Sequence, residues 1–242
     1  MLNVSAKRNS KKGFTLLELL IVIAIIAILS VIIILVLDPA ETLKKSRDAQ
    51  RLSDLSTIKT ALGIYLTSVT TPYLAGSASN TACKGSTTVD TNWDFTADKI
   101  WYSLASTSAT TDITDMLMDG AGTPFSVNFG QTQVTTLASL GVTDGNGWIP
   151  VNLSGMTSGS PISNFPIDPV NTVAAVNTVV YTDLVYRYAC NEKKIRFEVD
   201  AQLESAAYTS DDDKRAKDGG NNPNLFEVGT DLAILGFGNT EY

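Results

Sequence analysis

The chain has 242 residues, a formal net charge of -7 and 44% hydrophobic residues, enough for one apolar helix and one soluble domain of ordinary size. The acidic balance argues against a broad electrostatic grip on nucleic acid, so nucleic acid is not indicated as a partner. Histidine is absent, which excludes Ser-His-Asp and Cys-His catalysis and lowers the expectation of an enzyme.

A long apolar segment, KKGFTLLELLIVIAIIAILSVIIILVL, spans residues 11–37. From Leu19 to Leu37 it carries no charge, and a helix of this length, about 28 Å, matches the hydrocarbon core of a bilayer. Four cations stand ahead of the uncharged stretch and hold the N-terminus in the cytoplasm by the positive-inside rule: Lys7, Arg8, Lys11 and Lys12. Glu18 indicates function, since a carboxylate in an apolar setting costs free energy unless another charge pairs with it.

Three interpretations compete for this segment. A cleaved secretory signal has a shorter apolar core and a small-residue cleavage site, which the sequence after Leu37 does not offer. A plain membrane anchor explains the length and the cations but not Glu18. In the third interpretation the chain is cut between Gly13 and Phe14, and the new ammonium of Phe14 pairs with Glu18 of a neighbouring copy.

The segment is similar to the class III signal of type IV prepilins and type II secretion pseudopilins. The likeness lies in the short basic leader, Gly13 before the cut, Phe14 after it, Glu18 at the fifth mature position, and the apolar helix. It implies that a prepilin peptidase removes residues 1–13, that the Phe14 amine becomes methylated, and that Glu18 guides docking into a growing fibre. The likeness covers about the first quarter of the chain.

The next segment predicts an amphipathic helix. Asp38-Pro39 favours a kink or local break. Over residues 38–70 apolar side chains recur at steps of three and four, and this stripe needs a sheet to cover it. The cations near its start are expected to face phospholipid or neighbouring subunits: Lys44, Lys45, Arg47 and Arg51.

The remaining residues, 71–242, predict an exported head. Residues 93–140 suggest scattered core contacts on two short helices, and the prolines of 161–169 exclude a helix or a central strand. Residues 179–190 and 195–203 predict an antiparallel hairpin, and 225–235 a third strand. In 195–203 apolar residues alternate with Arg196, Glu198, Asp200 and Gln202, as in a half-buried strand.

These elements predict an α+β fold, in which a long N-terminal helix, membrane-spanning in its first half, packs on a small antiparallel β-sheet head. The expected organisation is a leader at 1–13, a transmembrane and assembly helix at 14–37, its amphipathic continuation at 38–70 and the globular head at 71–242. Cys83 and Cys190 either form a disulfide, which is permitted outside the cytoplasm, or remain separate thiols.

No cofactor is expected, and the sequence defines no metal ligand set. One acidic loop has enough oxygen ligands for calcium, and major pseudopilins as a family bind calcium in a comparable loop; it contains Asp211, Asp212, Asp213, Asp218, Asn221 and Asn222. Lys214, Arg215 and Lys217 interrupt the run, so a solvated charged loop is the alternative.

The resemblance implies a structural, non-enzymatic subunit of a type IV pilus-like filament. Its expected partners are other copies, prepilin peptidase, the pilus assembly machinery and, before assembly, membrane lipid. The precursor would cross the cytoplasmic membrane once, with the assembled filament extracellular or periplasmic. A major pseudopilin of a type II secretion system is one alternative, and a membrane-anchored ligand-binding or enzymatic ectodomain is another.

Overall fold

The computed structural model describes residues 13–76, 79–85, 98–105, 112–116, 126–131, 139–173 and 178–235. The chain divides into two units, Met1–Leu43 and Lys44–Tyr242. We call the second one the globular unit. The four leader cations lie outside the described residues, as do Trp93, Leu117 and Leu137.

Helix α1, Leu16–Leu37, consists almost entirely of large apolar residues. Its stretch Leu16–Ile34 has a mean hydropathy of 3.3 and no buried residue, so it is long and apolar enough to cross a membrane. The Ser30 hydroxyl needs no partner outside the helix, because it donates to the Ile26 carbonyl oxygen at 2.7 Å. Leaving a large apolar side chain in water costs about 1.5–3 kcal/mol, so α1 requires lipid or other helices around it.

The helical backbone is interrupted at a single residue. Helix α1 ends at Leu37, Asp38 adopts the left-handed conformation with φ 34° and ψ 78°, and helix α2 begins at Pro39 and ends at Ser68. Proline suits a first helical position, where the missing N–H has no intrahelical acceptor. Asp38 caps the new helix, since its Oδ1 accepts from the Glu41 N–H at 3.3 Å.

Within the described residues, the globular unit also contains a seven-stranded sheet, with strand order β4-β2-β3-β1-β5-β6-β7. The strands are β1 Ile100–Tyr102, β2 Asp112–Met116, β3 Ser126–Gln131, β4 Thr178–Val180, β5 Tyr186–Asn191, β6 Arg196–Gln202 and β7 Leu225–Gly229. Helix α2 packs on this sheet, and β1, β5, β6 and β7 form a four-stranded antiparallel part, which confirms the predicted α+β class.

The sheet is larger and more mixed than the sequence predicts. Strand β1 pairs parallel to β3, and β2 pairs parallel to β4. The two short helices predicted between residues 93 and 140 are wrong for the described residues, because β1, β2 and β3 lie there instead. Their sequences IWY, DITDM and SVNFGQ contain β-branched and aromatic residues and show no helical periodicity.

The predicted hairpin is confirmed, with β5 and β6 paired from Tyr186↔Ala201 to Asn191↔Arg196. The predicted third strand is shorter than expected, because β7 ends at Gly229. Residues 231–235 after it fold over one face of the sheet, where Ile234 and Leu235 are buried.

Both faces of the four-stranded antiparallel part of the sheet are covered. The face toward α2 carries the main core, whose largest members are Leu55, Ile58, Leu62, Trp101, Trp148, Tyr186, Tyr188 and Phe197. The opposite face carries a second core of Ile100, Tyr102, Val179, Val185, Ala189, Ile234 and Leu235. The prediction that β6 is half-buried is therefore wrong, and Glu198 and Asp200 are fully buried.

Cys83 and Cys190 form a disulfide that joins the loop after α2 to the end of β5. Next to it, the Lys84 N–H donates to the Cys190 carbonyl oxygen at 2.8 Å, and the Glu192 N–H donates to the Lys84 carbonyl oxygen at 3.1 Å. The loop thus runs beside β5 for one residue as a short parallel bridge.

Candidate functional site

The first candidate site is the start of α1, where Thr15 and Glu18 form a capping box. The Thr15 hydroxyl oxygen accepts from the Glu18 N–H at 3.2 Å. In return, Glu18 Oε2 accepts from the Thr15 N–H at 2.9 Å and from the Thr15 hydroxyl at 2.8 Å. This reciprocal pair satisfies two N–H groups at the helix start and holds the Glu18 carboxylate on the first turn.

Gly13 and Phe14 precede the helix in non-helical backbone and are both exposed, with Phe14 at 80%. The bond between them is therefore accessible in the subunit. The sequence pattern T-x-x-E at residues 15–18 is a capping signature, and reading Glu18 only as an unpaired charge missed it.

A second cluster lies in the globular unit, where Arg51 is fully buried. Its guanidinium donates to Asp168 twice, from Nε to Oδ2 at 2.6 Å and from Nη2 to Oδ1 at 3.0 Å. Its Nη1 donates to Asp48 Oδ1 at 2.7 Å and to Glu204 Oε1 at 2.8 Å. Arg47 closes the network with two 2.7 Å bonds to Glu204. The expectation that Arg47 and Arg51 face phospholipid or neighbours is corrected, because acids within the same unit bind both.

The acidic loop of residues 211–222 does not converge on one point. Asp212 pairs with Lys214 and Lys217, which lower its pKa to about 2. Asp213 pairs with Arg215 at 2.9 Å. The carboxylate of Asp218 accepts instead from the Gly220 and Glu227 N–H groups, both at 2.8 Å. Two of the loop's acids thus already have cationic partners, and calcium in this loop stays a prediction.

A third cluster brings together three buried acids that sequence reasoning placed apart. Glu198 and Asp200 stand on the same face of β6, and Glu227 of β7 lies directly opposite Asp200. One carboxylate oxygen from each lies within 4.8 Å of the other two. We call these three residues the carboxylate cluster. The repeated tripeptide Phe-Glu-Val at 197–199 and 226–228 is the sequence signal that could have revealed it.

The carboxylate cluster is only partly supplied with hydrogen-bond donors. Glu198 Oε2 accepts from the N–H groups of Ile234 at 2.7 Å and Leu235 at 2.8 Å. Glu227 Oε2 accepts from the Asn222 N–H at 3.0 Å. Burial raises the pKa of Glu227 to about 7 and raises the pKa of Glu198 well above its ordinary value.

An exposed apolar helix with a capped carboxylate at its start, and a unit in which a helix packs on a sheet, define an α+β protein with an apolar N-terminal helix. Residues 8–34 match the family model described as the prokaryotic N-terminal methylation motif, which is the class III signal of type IV pilins and pseudopilins. Neither a curated protein nor a solved structure matches the chain.

Proposed function

We propose that this chain is the precursor of a structural subunit of a type IV pilus-like filament. The observation that carries the proposal is the methylation motif at residues 8–34, which coincides with a fully exposed apolar helix that bears one acid on its first turn. A prepilin peptidase would cut the accessible bond between Gly13 and Phe14. Methylation of the Phe14 amine and polymerisation with other copies would follow.

The geometry of Glu18 supports a role in docking. Both bonds from Thr15 reach Oε2, so within the described part of the chain Oε1 is left for a donor from outside the subunit. Cutting after Gly13 creates a positive amine on Phe14 of every mature copy. In an apolar setting, attraction between that amine and the Glu18 carboxylate of a neighbour is strong enough to select one axial offset.

The apolar surface of α1 suits lipid before assembly and other copies of α1 after assembly. Before assembly the helix would cross the cytoplasmic membrane with the leader inside, as the basic residues ahead of it favour. During assembly, driven by the pilus assembly machinery, neighbouring helices would replace lipid. Ala24 and Ala27 are small enough to let another helix approach closely on that face. The role is structural, without catalysis.

The processing step is tested by mass spectrometry of the intact protein purified from cells with and without prepilin peptidase. We expect a mature N-terminus at methylated Phe14 in the first case and an unprocessed chain in the second. An intact leader in peptidase-containing cells, or a cut beyond Leu37, would reject the proposal.

The assembly step is tested with Glu18→Gln against the control Glu41→Gln, which changes another acid in the first turn of a helix. We expect Glu18→Gln to remain in the membrane fraction but to fall at least about tenfold in sheared filaments, because every contact between subunits would lose its ion pair. Glu41→Gln should assemble normally. Equal filament yields for both variants would contradict the role of Glu18.

A further inference from the structure

We propose that the carboxylate cluster, Glu198, Asp200 and Glu227, binds one divalent cation, Ca²⁺, inside the globular unit. The cluster lies on the sheet face opposite α2. The inference is independent of the proposed function, because it concerns only the folding and stability of the globular unit.

The spacing of the three acids suits a shared ion. Calcium binds oxygen ligands at about 2.4 Å, so any two of its ligands lie at most about 4.8 Å apart. The three carboxylates each offer an oxygen within 4.8 Å of the other two. Sheet register fixes this arrangement, since Asp200 and Glu227 are direct cross-strand partners and Glu198 precedes Asp200 by two residues on one face.

Unpartnered oxygens point to a ligand rather than to a closed hydrogen-bond network. Asp200 is 0% exposed, and neither of its carboxylate oxygens has a hydrogen-bond partner among the described residues. Within the same part of the chain, Oε1 of Glu198 and Oε1 of Glu227 also lack a partner. Leaving a buried charged oxygen unsatisfied is expensive, and a bound cation would satisfy all three groups at once.

The charges around the cluster leave room for a double positive charge. Arg187 stands opposite Asp200 on β5, and Lys84 attracts Glu198. Asp218 adds a further negative charge beside the cluster. Lys84 is also attracted to two further acids, so carboxylates outnumber cations around the cluster. A bound cation would offset that excess of negative charge.

The ligand chemistry favours calcium among divalent cations. All donors are hard oxygens, without the sulfur or imidazole nitrogen that zinc prefers. Two further buried amide oxygens without a partner among the described residues lie close in the chain: that of Gln202, which follows Asp200 on the same face of β6, and that of Asn221. Magnesium retains several waters and fits a buried, carboxylate-rich site less well.

The loop beside the cluster is shaped around one of its carboxylates. A Cβ on Gly220 would lie 1.6 Å from Glu227 Oε2, so only glycine leaves space for that carboxylate in its present position. The adjoining Asn222 N–H holds the same oxygen. Gly220 thus allows the backbone to close directly over the cluster.

The test uses the full chain in detergent, stripped with EGTA and then dialysed against Ca²⁺ or Mg²⁺. Elemental analysis should find one calcium per chain. At a calcium concentration about 100-fold above Kd, the midpoint of thermal unfolding should rise by about 5–10 °C over the EGTA sample. Magnesium at the same concentration should give a smaller shift.

The variants are Asp200→Asn and Glu227→Gln, with Asp212→Asn as the control from the acidic loop. We expect both cluster variants to lose the calcium-dependent shift and Asp212→Asn to keep it. If the cluster variants fail to fold, one calcium per chain that is retained by Asp212→Asn still assigns the ion to the cluster rather than to the acidic loop. The proposal is overturned if the unmodified chain binds no calcium, if folded cluster variants keep the calcium-dependent shift, or if Asp212→Asn abolishes binding.

Discussion

Arg51 and Asp168, 117 residues apart in the chain, form a bidentate ion pair that is completely excluded from solvent. The pair joins α2 to the proline-rich segment at 161–169, which has no regular secondary structure of its own. Asp168 also accepts from the N–H groups of Val170 at 2.8 Å and Asn171 at 3.1 Å. One side chain of α2 thus positions an irregular segment over the core.

Replacing Arg51 with methionine should strongly destabilise the globular unit. The substitution keeps an apolar stem but leaves Asp168 and Asp48 buried without their cation, which typically costs about 3–5 kcal/mol. Arg47→Met is the control, because Arg47 is partly exposed and solvent screens its pair with Glu204, so the loss should be much smaller. Urea unfolding measures both, and equal losses would show that burial of Arg51 does not matter.

Stability should fall as the pH drops below about 4.5, partly through Glu204. Hydrogen bonds from Arg47 lower the pKa of Glu204, with a further contribution from Arg51. A depressed folded-state pKa stabilises the protein above the unfolded pKa and loses that contribution as the pH falls through the folded value. Urea midpoints from pH 7 to pH 3 should therefore decline less steeply in Glu204→Gln than in the unmodified chain.

Removing the disulfide by Cys83→Ser with Cys190→Ser should destabilise the globular unit by about 2–5 kcal/mol. The bond closes a loop with a sequence separation of 107 residues, which restricts the unfolded chain. A reductant should lower the unfolding midpoint of the unmodified protein to that of the double variant. The reductant should leave the unfolding midpoint of the double variant unchanged. An equal fall in the midpoint of the double variant would show that the reductant acts through something other than this disulfide.

Gly220→Ala should destabilise the protein, whereas Gly63→Ala should stabilise it. The new methyl group at Gly220 collides with the Glu227 carboxylate, and strain of this kind costs about 1–3 kcal/mol. At Gly63, inside α2, no atom lies within 4 Å of the new Cβ, and alanine should gain about 0.5–1 kcal/mol. Thermal unfolding of both variants compares them, and a neutral Gly220→Ala would show that the loop over the cluster yields.

Local patterns in the sequence were sufficient to predict the N-terminal helical segment and the hairpin. The apolar run of α1 and the stripe of α2 depend on neighbours three or four residues away, and the turn at 191–195 joins strands adjacent in the chain. These features are decided by short-range geometry. The helices and the hairpin can therefore be predicted from a few neighbouring residues at a time.

Contacts between distant segments could not be predicted in this way. Alternation in β6 correctly assigned Glu198 and Asp200 to the face opposite Phe197, but that face is covered by residues 231–235 rather than by water. Arg51 looked like a surface cation because its partners Asp168 and Glu204 lie more than 100 residues further along the chain. A charged residue shows nothing locally of the partner that permits its burial.

Because β6 carries acids on one side and aromatic or aliphatic groups on the other, it tolerates no slippage during folding. Sliding it by one position would push Glu198 and Asp200 among Tyr186, Tyr188 and the α2 side chains, and would turn Phe197 toward the opposite layer. Folding intermediates with the wrong strand register would therefore bury unpaired charges in an apolar interior, and they would unfold quickly. The buried acids that lower the stability of the folded protein thus also disfavour incorrect strand register during folding.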